Sequence, residues 1–154
     1  MTRYLLKAGE ISEMLGSSEA HPVNKNVERT VKSLGDATGL TGIGVNIFET
    51  APGAETTAFH AHHFEDEALF VLSGTAVAEI GDEHHDIGPG DFLGYRKGGL
   101  PHIIRNTGSE PLRCLVMGER SDHDVIDYPR AGKRLFNTVG LPSVYVDLDP
   151  EPED

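Results

Sequence analysis

The chain has 154 residues, 38% hydrophobic and 25% charged, a size and balance that suit one globular domain and exclude wholesale disorder. Thirteen Lys and Arg stand against 25 Asp and Glu, a formal net charge of -12, and this sign argues against nucleic acid and anionic membrane as partners. No apolar run approaches the ~20 residues of a membrane helix, the first residues lack the apolar block of a signal peptide, and the single cysteine, Cys114, cannot form an internal disulfide, so a reducing, cytoplasmic setting is expected.

Residues 1–42 read as an N-terminal flanking segment of loops and isolated short strands. They contain one helix signal at 9–15, where Ile11, Met14 and Leu15 share a face. From 43 to 118 the signal is β: the 18 glycines and nine prolines of the chain punctuate apolar runs of only a few residues. Residues 43–49 (IGVNIFE) alternate with period two before the Pro52-Gly53 turn. Residues 68–72 (ALFVL) are apolar on both faces, as a strand covered on both sides would be. Residues 75–80 (TAVAEI) resume alternation and meet Gly81-Asp82, a hairpin signal whose polar continuation carries His84 and His85 as turn residues. The strongest turn, Gly88-Pro-Gly-Asp91, precedes three more strand-like runs at 92–95, 102–105 and 112–117. Cys114 falls within the last of these, where buried packing is the simplest role.

Residues 119–146 form a C-terminal flanking segment, and 147–154 hold five acids, no base and two prolines, the composition of a solvated acidic tail. Many short strands and one short helix describe an antiparallel sandwich or barrel. Its edges need cover, and flanking runs such as Val144-Tyr-Val146 have no evident partner in their own chain, so a homodimer is expected.

Chemistry concentrates in the histidines. His60 and His62 lie two apart, hence on one face of a strand. After four intervening residues Glu67 opens the 68–72 strand, and a short loop would fold the two segments side by side. His102 follows a Gly-Gly-Leu-Pro turn and starts another strand, where the next pass of a small barrel would bring it alongside. Three neutral imidazoles and a carboxylate suit one divalent transition metal ion, with Zn, Mn, Fe, Ni, Co and Cu all compatible. His63 points to the other face. Glu65, a carboxylate near these ligands, is either a solvated loop residue or a candidate general base.

The full spacing carries a family resemblance. His60-Ala-His62, Glu67 and Gly74 resemble the first cupin motif; Gly90-Asp91 through Gly98, His102 and Asn106 resemble the second, the likeness covering about residues 43–117. Three departures stand out: one extra residue between Gly53 and His60, Arg96 where the family usually has Pro, and one extra before His102, which Gly98-Gly99 offers the backbone freedom to absorb. Residues 40–46 (LTGIGVN), 63–67 (HFEDE) and Asp127-Tyr-Pro129 are similar to a bacterial subgroup of small single-domain cupins, some labelled sugar-phosphate isomerase-like.

The resemblance implies an all-β, double-stranded β-helix (jelly-roll) barrel with short flanking segments, holding its ion on His60, His62, Glu67 and His102. Tyr95, Arg96, Lys97 and Arg105 flank the second motif. They are either mixed surface or, at the barrel mouth, a substrate-binding set for an anionic or hydroxylated small molecule. An isomerase using the ion as Lewis acid, a dioxygenase and a non-catalytic binding or sensing module all remain open.

Overall fold

The structure, a computed structural model, describes residues 3–149. Most of the acidic tail expected over 147–154 therefore lies outside the described residues. In chain order the elements are α1 (Ala8–Glu13), β1 (Arg29–Ser33), α2 (Leu34–Thr38), β2 (Ile43–Thr50), β3 (Ala61–His62), β4 (Glu67–Ser73), β5 (Ala76–Ile80), β6 (Glu83–Ile87), β7 (Phe92–Tyr95), β8 (His102–Asn106), β9 (Leu112–Glu119), β10 (His123–Tyr128), a 3-10 turn at Pro129–Ala131, β11 (Lys133–Thr138) and β12 (Val144–Asp147). Among the described residues no helix is long and apolar enough to cross a membrane.

Five strands form one layer in the order β1-β2-β9-β4-β7. The other layer is assembled from β6-β5-β8 and β12-β11-β10-β3, which meet where the chain before β3 pairs with β8 through the His60–His102 bridge. All named strand pairs are antiparallel. Period-two alternation supplies the filling: Leu112, Cys114 and Val116 of β9 face inward against Leu69 and Val71 of β4, with Ala76, Ala78, Leu93 and Ile104 from neighbouring strands. Cys114 is fully buried, and burial pushes its thiol up to about 12, so it is a packing residue.

Several expectations are corrected. Strand β4 is covered on one face only: Phe70 and Leu72 are 37% and 38% exposed while Leu69 and Val71 are buried. An apolar run is silent about which side meets a partner, and here the outer face of the five-stranded layer carries apolar side chains. The C-terminal flank is a regular meander; Val144 and Val146 pair with Phe136 and Arg134 of β11 in the same chain. Asp147, expected to open the tail, closes β12 opposite Lys133, with Nζ 2.5 Å from its carboxylate. His84 and His85 lie in β6, opposite Glu79 and Ala78. Helix α1 ends at Glu13, before Leu15, which is 93% exposed.

Asn106 shows how a loop is bolted to this frame. It is fully buried; its Nδ2 donates to the Thr50 and Glu110 carbonyls (3.0 and 2.8 Å) and its Oδ1 accepts from the Gly108 N–H (3.0 Å). Asn106→Ala should destabilise the protein by about 3 kcal/mol, because it strands backbone polar groups at a dry position. Urea denaturation at neutral pH measures this, and a loss under about 1 kcal/mol would mean that water replaces the side chain.

Candidate metal centre

Two backbone hydrogen bonds create the centre. The His60 N–H donates to the His102 carbonyl (3.1 Å) and the His102 N–H returns to the His60 carbonyl (2.9 Å). Directly opposed residues in a ladder project to the same side, so the two imidazoles sit together, ring centroids 4.6 Å apart. His62, two residues on, places its ring centroid 5.0 Å from that of His60. Glu67, at the start of β4, brings Oε2 to 3.8 Å from His62 Nε2 and Oε1 to 3.7 Å from His102 Nε2. The extra residue before His102 is taken up in the turn, where Gly98 has φ 68° and the Gly99 N–H closes onto the Arg96 carbonyl (3.0 Å).

Each imidazole is tethered through Nδ1. His60 Nδ1 lies 2.8 Å from the Ala58 carbonyl, His102 Nδ1 3.3 Å from that of Leu100, and His62 Nδ1 2.5 Å from Asp124 Oδ2. A carbonyl or carboxylate oxygen can only accept, so Nδ1 carries a proton in each ring, and in a neutral ring this leaves the lone pair on Nε2. His102 Nε2 is buried and, among the described residues, has no hydrogen-bond partner. Burial, with His102 and His62 nearby, lowers His60 to about 4, leaving it neutral at neutral pH. Burial raises Glu67, but His102, His60 and His62 together draw it below the ordinary carboxylate range, so it is ionised. Neutral Nε2 lone pairs beside an ionised carboxylate are what a first-row divalent ion requires. His60, His62 and Glu67 each bring a ligand atom within 4.8 Å of the others and could hold one.

Asp124 on β10 is 2% exposed; one oxygen meets His62 and the other accepts the Phe64 N–H (3.1 Å). It forms a second close group with His62 and Glu65, but the Nδ1 proton it receives makes this a tether for His62. Such outer carboxylates fix a ligand's tautomer and orientation.

The cluster opens into a cavity of about 220 Å³. Tyr95 lines it, its ring stacked on His102 with centroids 3.4 Å apart; burial raises its hydroxyl, which has no partner among the described residues. The other flanking side chains are placed elsewhere. Arg96 lines a shallow neighbouring groove, Lys97 Nζ lies 3.5 Å from exposed Glu119, and Arg105 pairs with Glu55 at 2.7 Å. Glu65 is not in the cavity wall: it accepts the Ser121 N–H (2.8 Å), and burial raises its carboxyl. His63 faces away and contacts Asp127 at 2.9 Å. Sequence reasoning passed over His21, Arg29 and Asp124, which come from the flanks and carry no local motif. Tyr128 lay within a quoted triplet; it lines the cavity, its ring 6.1 Å from that of His60.

Two packed antiparallel layers with a His-His-Glu cluster in the interior define a jelly-roll barrel with a candidate ion site. The chain belongs to the cupin superfamily: the cupin-domain family matches residues 46–118, and a candidate sugar phosphate isomerase from Acidithiobacillus ferrooxidans is 44% identical with a TM-score of 0.90, over 93% of this chain and 91% of that one. A sugar phosphate isomerase of the cupin superfamily from Silicibacter pomeroyi is 25% identical, with a TM-score of 0.80 over 97% and 96% of the two chains. The oxalate decarboxylase of Lactobacillus farciminis shares the fold alone, at 19% identity and a TM-score of 0.52 over 67% of this chain and 31% of that one. No protein of curated function matches the sequence. Cupins commonly bind a metal, in keeping with the cluster described above.

The protonation states dictate a pH response. His60 is lowered to about 4 from 6.5, and His21 is also lowered, chiefly by burial. The unfolded chain therefore binds more protons between these values, and stability present above pH 6.5 is lost as pH falls toward 4. In chelated protein the slope from His60 alone should approach about 1.4 kcal/mol per pH unit. His60→Gln should flatten it in part, leaving the share of His21. Denaturation midpoints at pH 7, 6, 5 and 4 read this directly; equal slopes in the two proteins would show His60 charged in the fold.

Proposed function

We propose that this cupin holds one divalent first-row ion on His60, His62, Glu67 and His102 and uses it to bind and isomerise a small anionic, hydroxylated molecule of the sugar phosphate type. The observation that carries the proposal is the convergence of three Nδ1-tethered imidazoles and an ionised carboxylate on one small cavity. The names of the Acidithiobacillus and Silicibacter relatives support the substrate class. A bound ion would supply Lewis-acid polarisation of a substrate oxygen. The protein's own part is to aim the Nε2 atoms at the ion through the Nδ1 tethers, to exclude bulk water behind Tyr95 and Tyr128, and to hold His62 in register through Asp124. A second reading, binding without turnover, is favoured by the position of Glu65 outside the cavity wall.

Elemental analysis should find about one ion per chain, lost in His60→Ala and His62→Ala with the barrel still folded, and Asp124→Asn should weaken metal affinity about 10- to 100-fold. Equal metal in all of these proteins would remove the site. Metal-dependent thermal shifts with sugar phosphates, worth about 2.7 kcal/mol at a hundred times Kd, should be followed by aldose-ketose interconversion; shifts without turnover select the binder. Turnover unchanged in Glu65→Gln would remove Glu65 as the base.

We also infer a homodimer. Phe70, Leu72 and Phe92 are exposed on the outer face of the five-stranded layer, and β12 is an edge strand whose Val144, Tyr145 and Val146 are 52%, 40% and 40% exposed. Apolar patches and free edges of this kind are ordinarily covered. Light scattering at micromolar concentration should give twice the 16.7 kDa chain mass; the mass of one chain would refute it.

A further inference from the structure

Among the polar groups of the cavity wall that ion binding leaves unused are Arg29 and His21, both from the N-terminal flank. Arg29 opens β1, opposite Thr50 of β2. Its guanidinium donates to the Thr56 carbonyl and lies 4.3 Å from the centre of the Phe48 ring, so it is held in place. Arginines elsewhere are matched: exposed Arg105 by Glu55 at 2.7 Å, and half-buried Arg113 and Arg134 by Glu49 at 3.2 Å and Asp127 at 2.6 Å. Among the described residues Arg29 pairs with no carboxylate. A guanidinium carries five N–H donors and stays charged, so one carbonyl and one aromatic face leave donors without protein partners beside the cavity. Burying a cation this way is costly unless an anion completes it.

His21 adds to the same wall. The Val23 N–H donates to its Nδ1 (3.3 Å), which puts the ring proton on Nε2, and the ring stands edge-on to Tyr128 with centroids 5.8 Å apart. The cavity is thus lined by hydrogen-bond donors from the N-terminal flank and by metal-ligating acceptors from the barrel. At about 220 Å³ it falls below the ~300–1,000 Å³ of drug-sized pockets, which restricts it to short-chain ligands.

We propose that Arg29, assisted by His21, anchors the oxyanion group of the ligand, phosphate in preference to carboxylate, while the hydroxyl or carbonyl end meets the His60, His62, Glu67 and His102 cluster. The proposal rests on the function proposed above for the same cavity. Arg96, Lys97 and Arg105 play no part in it.

Two arms of one calorimetric experiment on the full chain separate the ideas. In the first, chelated protein is titrated with inorganic phosphate and with glycolate. Wild type should bind phosphate more tightly than glycolate, Arg29→Met should weaken phosphate binding at least tenfold, and Arg29→Lys should fall between, keeping the charge without the planar fork. In the second, metal-loaded protein is titrated with glycolaldehyde phosphate and neutral glycolaldehyde. Phosphate affinity unchanged in Arg29→Met overturns the anchor, whatever the second arm shows. Loss in the first arm with no effect of metal in the second keeps the anchor and refutes the metal-dependent function. Glycolate outbinding phosphate overturns the stated preference. Should neither variant fold, the arginine side-chain N–H spectrum of wild type decides under phosphate titration: a shifted buried Nε–H supports the anchor, and an unmoved spectrum overturns it.

Discussion

The reciprocal pair of backbone hydrogen bonds between His60 and His102 is the seam on which the molecule depends. It joins the sheet of β5, β6 and β8 to that of β3, β10, β11 and β12, turning two small sheets into one layer able to cover the five-stranded one. The same two bonds set two imidazoles side by side. Closure of the barrel and assembly of the centre are one event, so a change that slips this register by a residue would turn a histidine out of the interior.

Holding so many ionisable groups in a dry place requires that each have hydrogen-bonding partners. The Nδ1 tethers provide them for the histidines, and Asp124 shows the cost: a carboxylate at 2% exposure is tolerable because both oxygens are engaged, one by His62 and one by the Phe64 N–H. Strand β10 therefore serves two ends, pairing with β3 through Ile126 and His62 and steadying a side chain on the strand it pairs with.

How far the sequence could be read follows from the range of the interactions. Strands β2, β5, β7, β8 and β9 announce themselves because alternation and Gly-Pro punctuation are local, and the His60, His62, Glu67, His102 set is legible because its spacing fits two known motifs. Strand β4 misled, since an all-apolar run looks the same whether its second face is covered or bare. The meander β10 to β12 was illegible because its signals are short, and its pairing partners become evident only once the barrel exists. Arg29 and Asp124 were missed for a similar reason. Nothing beside them in the chain distinguishes a surface charge from one aimed inward, whereas Arg96 and Lys97 drew notice by adjacency to a motif and lie outside the cavity wall.

The cavity wall is supplied from three separate stretches of chain: His21 and Arg29 before residue 46, the ligand cluster within 46–118, and Ile126 and Tyr128 after it. The flanks pack on the barrel without contributing to its central ladder of β9 with β2 and β4. Substitutions at His21 or Arg29 can reshape what enters while the ligand set stays intact, whereas Asp124, from the C-terminal flank, is tied to the cradle through His62. Selection can thus act on ligand choice and on fold integrity as nearly independent traits, and descendants of one barrel can diverge in diet while keeping the same hearth.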